Sequence, residues 1–264
     1  MPLRPSLRLS DAERAAWEDD GFFLRERAFS EDELCDLRAA AERVVAIAMR
    51  EASQPSADYT IDGNRYLETG GATIQLEHRA GSATVRVIEP FHHLDPRFDA
   101  VLDDPRITEP MRDLVGQEQI ALFTDKLNLK RPREGSGFRF HQDSPYWAFD
   151  CTHLDQLPNV MVLLDDASPE NGCLSVVRGS HRKGLLPGQE GQGTLGPLFT
   201  DPSAFDERLA VHAAAPAGSL LFFSPHTVHG SKPNGSDQPR RVFVLTYQPG
   251  GHRTFKKDVT RDVA

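Results

Sequence analysis

IALFTDKLNLK at 120–130, GFRFHQD at 137–143, NVMVLLDDA at 159–167, CLSVV at 173–177, SLLFF at 219–223 and RVFVLTYQP at 241–249 are short runs rich in apolar and β-branched residues. Turn formers separate them: ENG at 170–172, RGS at 178–180, PAG at 216–218 and PNGS at 233–236. Strand-length runs recurring at this spacing predict a barrel or a double-sheet jelly roll. Upstream, TVRVIE at 84–89 alternates as a strand does, and residues 104–115 read as a short helix. Farther out, residues 10–52 carry helix signals. Ser10 is an N-cap ahead of Asp11 and Glu13, Asp20-Gly21 breaks the pattern, and Phe22, Phe23 and Leu24 form a short strand. Ser30 starts a second helix with Glu31, Asp32 and Glu33 in its first turn and Leu34, Leu37, Val44, Val45 and Ile47 on its apolar face. Residues 53–82 are polar and glycine-rich, with no strong period, which predicts a long irregular stretch serving as a lid or binding loop. The expected fold is mainly β with flanking α-helices: one domain over 1–264, helical at about 1–55, with a jelly-roll core at about 84–250.

With 264 residues, 39% hydrophobic and 26% charged, the chain can bury a substantial core without staples. Its net charge of −9 speaks against a nucleic-acid binder and against docking on anionic membranes. Cys35, Cys151 and Cys173 are odd in number and form no CxxC pair, so neither a disulfide framework nor a cysteine zinc site is expected. No apolar run reaches the length of a membrane span and the N-terminus lacks a signal-type apolar core, so the expected location is cytoplasmic. Monomer and homodimer remain equally open.

His141-Gln142-Asp143 anchors the chemistry. In an extended segment, residues two apart point to one face, so one imidazole and one carboxylate can reach the same metal. A third ligand must come from elsewhere, and His229 in SPHTVHGSKPNGS is the candidate. Two histidines and a carboxylate on one face of an octahedron suit non-haem iron(II), with open positions for a chelating 2-oxo acid and O2. His226 competes with His229 but lacks the Gly-Ser sequel; His92, His93 and His181 read as structural. Asp165 and Asp166 read as a strand end and turn.

HQD (141–143), ENGCLSVVRGSH (170–181), AGSLLFFSPHTVHGSKPN (217–234) and the arginine pair at 240–241 resemble the phytanoyl-CoA dioxygenase family of Fe(II)/2-oxoglutarate-dependent oxygenases. The resemblance implies a double-stranded β-helix of cupin-like form, with metal ligands at His141, Asp143 and His229. It also implies that Arg240 holds the distal carboxylate of 2-oxoglutarate, for which a planar guanidinium is suited. Arg241 is the fallback, since alternation turns it away from Arg240. Asn128 and Trp147 fall where related ectoine hydroxylases place an asparagine contacting 2-oxoglutarate and an aromatic near it; Ser231 matches a hydroxyl that assists the carboxylate. Arg178 replaces the family's proline in the PGSH element, and Asp143 fills the position that halogenating relatives leave to a small residue.

The implied reaction is hydroxylation of an unactivated C–H bond of a small molecule, with release of succinate and CO2. Alternatives are a catalytically silent metal-binding jelly roll, a zinc hydrolase, or desaturation or cyclisation at the same iron. The substrate is not legible. Residues 53–82 and 184–204 are the expected pocket walls, with Arg86, Gln75 and Arg178 as polar residues that could face a substrate.

Overall fold

The computed structural model describes residues 7–255, 257 and 259–263. Helix α1 (Asp11–Asp20) and helix α2 (Glu31–Glu51) each begin with a capping box, in which Ser10 accepts from the Glu13 backbone N–H and Ser30 from that of Glu33. These reciprocal bonds satisfy donors that a helix start leaves free. Strand β1 (Phe22–Arg25) lies between the two helices, as expected. Helices α3 (Pro96–Val101) and α4 (Pro105–Val115) start after Asp95 and Asp104, whose side chains cap them, with proline in the first turn.

Among the described residues the strands form two antiparallel sheets. The larger runs β1, β11 (Leu220–Phe223), β8 (Asn159–Leu163), β13 (Arg240–Pro249), β6 (Ile120–Lys130), β5 (Val85–Glu89), β4 (Thr73–Leu76), β3 (Asn64–Glu68), β2 (Ala57–Ile61). The smaller runs β10 (Ala210–His212), β9 (Leu174–Val177), β12 (His229–Ser231), β7 (Phe138–His141). The fold is a mainly β jelly roll with flanking helices.

The apolar runs are explained by burial on both faces of the large sheet. On β11, Leu220 and Phe222 join a core shared with α2, α3 and α4, while Leu221 and Phe223 join a core shared with the smaller sheet. Val160 and Val162 against Met161 and Leu163 on β8 divide in the same way, as do Phe243 and Leu245 against Val242 and Val244 on β13. The interior between the sheets is therefore reached from the β13 and β6 side by alternate residues only.

Residues 53–82 depart from expectation. They are not one irregular loop but contain β2, β3 and β4, which extend the large sheet. Strand β2 is exposed along most of its length, so it shows no apolar alternation. The Asp62-Gly63 turn has φ of 49° and 80°, a doubly left-handed hairpin turn that glycine tolerates and that the Asp-Gly pair signals. Asp62 also accepts from the Leu195 N–H at 2.7 Å, so this hairpin and the 184–204 segment meet. No helix among the described residues is long and apolar enough to cross a membrane.

Candidate active site

Strands β7 and β12 pair with His141 directly opposite His229. Their rings lie 4.3 Å apart between centroids. Asp143 lies past the end of β7, with φ −78° and ψ −30° at the head of the short helix α5 (Ser144–Trp147), so the HxD segment is not extended throughout. The turn is held because the Pro225 carbonyl accepts from both the Asp143 and the Ser144 N–H, at 3.0 and 3.2 Å. Gln142 points the other way, donating to the carbonyls of Gly184 and His226 and accepting from the Leu186 N–H.

One donor atom from each of His141, Asp143 and His229 lies within 4.8 Å of the others. The Nδ1 atoms of His141 and His229 contact the carbonyls of Arg139 and Thr227 at 2.8 and 2.9 Å. A carbonyl can only accept, so each Nδ1 carries the proton and each Nε2 keeps its lone pair. Those Nε2 atoms lie 3.8 and 3.9 Å from the two Asp143 carboxylate oxygens. Burial, and then the neighbouring His229, push His141 down to about 3, which keeps it a neutral ligand at ordinary pH. Asn159 donates to Asp143 Oδ2 at 3.0 Å and accepts from Thr246 Oγ1 at 2.6 Å, fixing the carboxylate from behind.

Beyond this group, β13 and β6 set Arg240 directly opposite Lys130. Arg240 is 3% exposed, its Nε has no partner, and its guanidinium makes no hydrogen bond or ion pair with a described residue. An unmatched buried guanidinium is costly, and a carboxylate presented to it would relieve that cost. Arg241 faces outward and is held by Asp165 at 2.8 and 2.9 Å and by Glu42 at 3.1 Å. Lys130 Nζ donates to Ser231 Oγ at 2.7 Å, which leaves the Ser231 hydroxyl proton available to an anion. Asn128 Oδ1 and Trp147 Nε1 are likewise buried without partners.

A family model described as phytanoyl-CoA dioxygenase matches residues 17–242. The chain belongs to the phytanoyl-CoA dioxygenase family. Among the relatives of this family member, ectoine dioxygenase from Bordetella bronchiseptica is 29% identical over 261 residues, covering 90% of this chain and 75% of the relative. Methylphosphonate hydroxylase from Gimesia maris is 27% identical over 239 residues, covering 90% and 80%. The crystal structure of EctD from S. alaskensis with 2-oxoglutarate and 5-hydroxyectoine superposes with a TM-score of 0.71 at 23% identity, covering 96% of this chain and 83% of that one. This family member is accordingly an Fe(II)- and 2-oxoglutarate-dependent dioxygenase. Its residues fit those groups: a His/Asp/His donor set with oriented lone pairs, and a buried guanidinium without a hydrogen-bond partner, opposite Lys130, which itself holds the Ser231 hydroxyl.

Other histidines lie elsewhere. His226 contacts Ser144 Oγ and Asp155 Oδ1, both at 2.8 Å, and His92 contacts Asp125 Oδ2 at 2.8 Å. Trp147 also packs a small core with Phe123 and Leu157, so its ring is structural even though its Nε1 is unpaired. Gln75 donates to Asn64, and Arg178 lies 3.8 Å from Asp20 with its side chain more than half exposed. Sequence reasoning missed Asn159 and Lys130. Asn159 could have been found as a polar residue at the head of an apolar strand run, whereas Lys130 ends a strand with several other polar residues and carries no such signal.

Proposed function

We propose that His141, Asp143 and His229 bind the iron, that Arg240 with Ser231 grips the distal carboxylate of 2-oxoglutarate, and that the enzyme hydroxylates an unactivated C–H bond of a small molecule. The observation that carries this is the buried Arg240 guanidinium, without a hydrogen-bond partner and paired opposite Lys130, together with a triad whose lone pairs are already oriented. When bound, iron and 2-oxoglutarate supply the oxidation of the C–H bond by O2, with succinate and CO2 as co-products. The chain's own part is positioning. The carbonyls of Arg139 and Thr227 hold the imidazole protons on Nδ1, and Asn159 holds the carboxylate. Asn128 and Trp147 offer an unpaired acceptor and donor to the groups between metal and arginine. Helical part and jelly roll work as one domain, a reading supported by the core that α2, α3 and α4 share with the large sheet.

Anaerobic titration of the iron-loaded protein with 2-oxoglutarate tests this. The weak visible charge-transfer band of the chelate is expected for wild type, with Arg240→Ala needing roughly 10- to 100-fold more cosubstrate, as loss of a charge-assisted pair implies. Intact iron binding without a band would leave a metal-binding jelly roll that is not an oxygenase.

A further inference from the structure

Strand β6 is fully buried except at two positions, Lys126 and Asn128, which share the face that carries Lys130. The charge of Lys126 acts on both Asp143 and His141. Its ammonium lies 5.6 Å from the Trp147 ring and 5.9 Å from the Tyr146 ring. Among the described residues it makes no hydrogen bond. The nearest acid is Glu89, at 3.9 Å, and that same Glu89 oxygen already accepts from Thr124 Oγ1 at 2.8 Å. Two further cations stand nearby, one of them, Arg86, under the charge of buried Glu77. Arg86 is 4% exposed and is held by the Gly137 carbonyl and the His78 ring. Arg139 stacks on Phe199. Of the two acids whose charges favour the Lys126 ammonium, Glu89 first and then Asp143, the second would be offset by a metal it ligates. The Tyr146 hydroxyl has no hydrogen-bond partner among the described residues, and its ring lies 5.8 Å from that of the metal-site residue His141.

Lys126 is three-quarters withdrawn from water, its ion pair with Glu89 is long at 3.9 Å, and its donors make no hydrogen bond among the described residues, so an anionic group within hydrogen-bond reach would satisfy them better. We propose that the prime substrate is a small organic anion, a carboxylate or a phosphonate, and that Lys126 holds its acidic group while Tyr146 donates to a remaining oxygen. The inference rests on the iron and 2-oxoglutarate reading above. It assigns Lys126 to substrate and Arg240 to cosubstrate.

The test uses the iron-loaded protein under anaerobic conditions with saturating 2-oxoglutarate, titrated with methylphosphonate, with propionate and with neutral propionamide, read by perturbation of the charge-transfer band. At least one anion is expected to perturb the band with saturation, and propionamide is not; the tighter anion tells phosphonate from carboxylate. Lys126→Met should weaken that anion about 10-fold or more and Lys126→Arg only a few-fold, in line with a charge-assisted contact, while the band for 2-oxoglutarate still forms in both. The proposal is overturned if neither anion perturbs the band, if propionamide binds as well, if Lys126→Met binds the anion as wild type does, or if that variant loses 2-oxoglutarate instead. Absence of any band in wild type would sink the underlying reading; a band without an anion response sinks this one alone.

Discussion

Asn159 touches nothing that reacts, yet it decides where Asp143 can point. Its amide donates to the carboxylate while its carbonyl is fixed by Thr246. Asn159→Leu should weaken Fe(II) binding roughly 10- to 100-fold, as loss of such outer partners does, measured by metal titration. Retained affinity would mean that the carboxylate needs no support. Lys130 carries a pH dependence. Burial first, then Arg240 and Arg86, push it down to about 6, so at neutral pH it is mostly uncharged in the cosubstrate-free protein. A carboxylate arriving beside it raises that value, so binding takes up a proton above about pH 6 and 2-oxoglutarate affinity falls as pH rises from there. Calorimetry in two buffers of different protonation enthalpy should show the uptake in wild type and its loss in Lys130→Met. The spacing of His141, Asp143, His229 and Arg240 made these residues legible in sequence. Asn159 and Lys130 were not, because their roles come from cross-strand pairing with β13.

Between β12 and β7 the backbones approach closely at Gly230, where a Cβ would meet the Phe138 carbonyl at 3.0 Å and the Phe140 nitrogen at 3.1 Å. Gly230→Ala should therefore push these strands apart and separate His229 from His141, weakening iron binding several-fold while the large sheet stays folded. Unfolding midpoint and iron affinity, measured together, would separate the two effects. In contrast, Phe222→Ala removes a ring stacked 4.7 Å from Phe23 inside the helix-facing core and should cost about 3–5 kcal/mol of stability, read as a lower denaturant midpoint. Helices were readable because both begin with local capping boxes. The strands of the jelly roll were readable because their apolar runs are buried on both faces. The β2–β3 hairpin was not, since its cross-strand contacts are the Tyr59–Tyr66 stack and the Asp58–Arg65 pair rather than an apolar face. Only the Asp62-Gly63 turn could have revealed it.

At the scale of the molecule, topology brings residues far apart in sequence to one cavity: a small sheet supplies both histidines and the middle of the large sheet supplies Lys126, Lys130 and Arg240. Lys126 and Arg240 carry positive charge inside, whereas the chain as a whole carries −9. A doubly charged cosubstrate therefore meets repulsion before it meets attraction, and the two act over different distances. Dissolved salt screens charges across solvent over about 10 Å at 0.1 M but screens buried ones far less. The rate at which 2-oxoglutarate arrives should thus rise with ionic strength, the reverse of ordinary steering toward a charged cleft, while its rate of departure changes little. Stopped-flow mixing at several salt concentrations would show this, and an arrival rate that fell with salt would mean that the cationic interior projects its field beyond the mouth. The acidic exterior makes the enzyme a faster collector of its anions in a salty medium than in a dilute one.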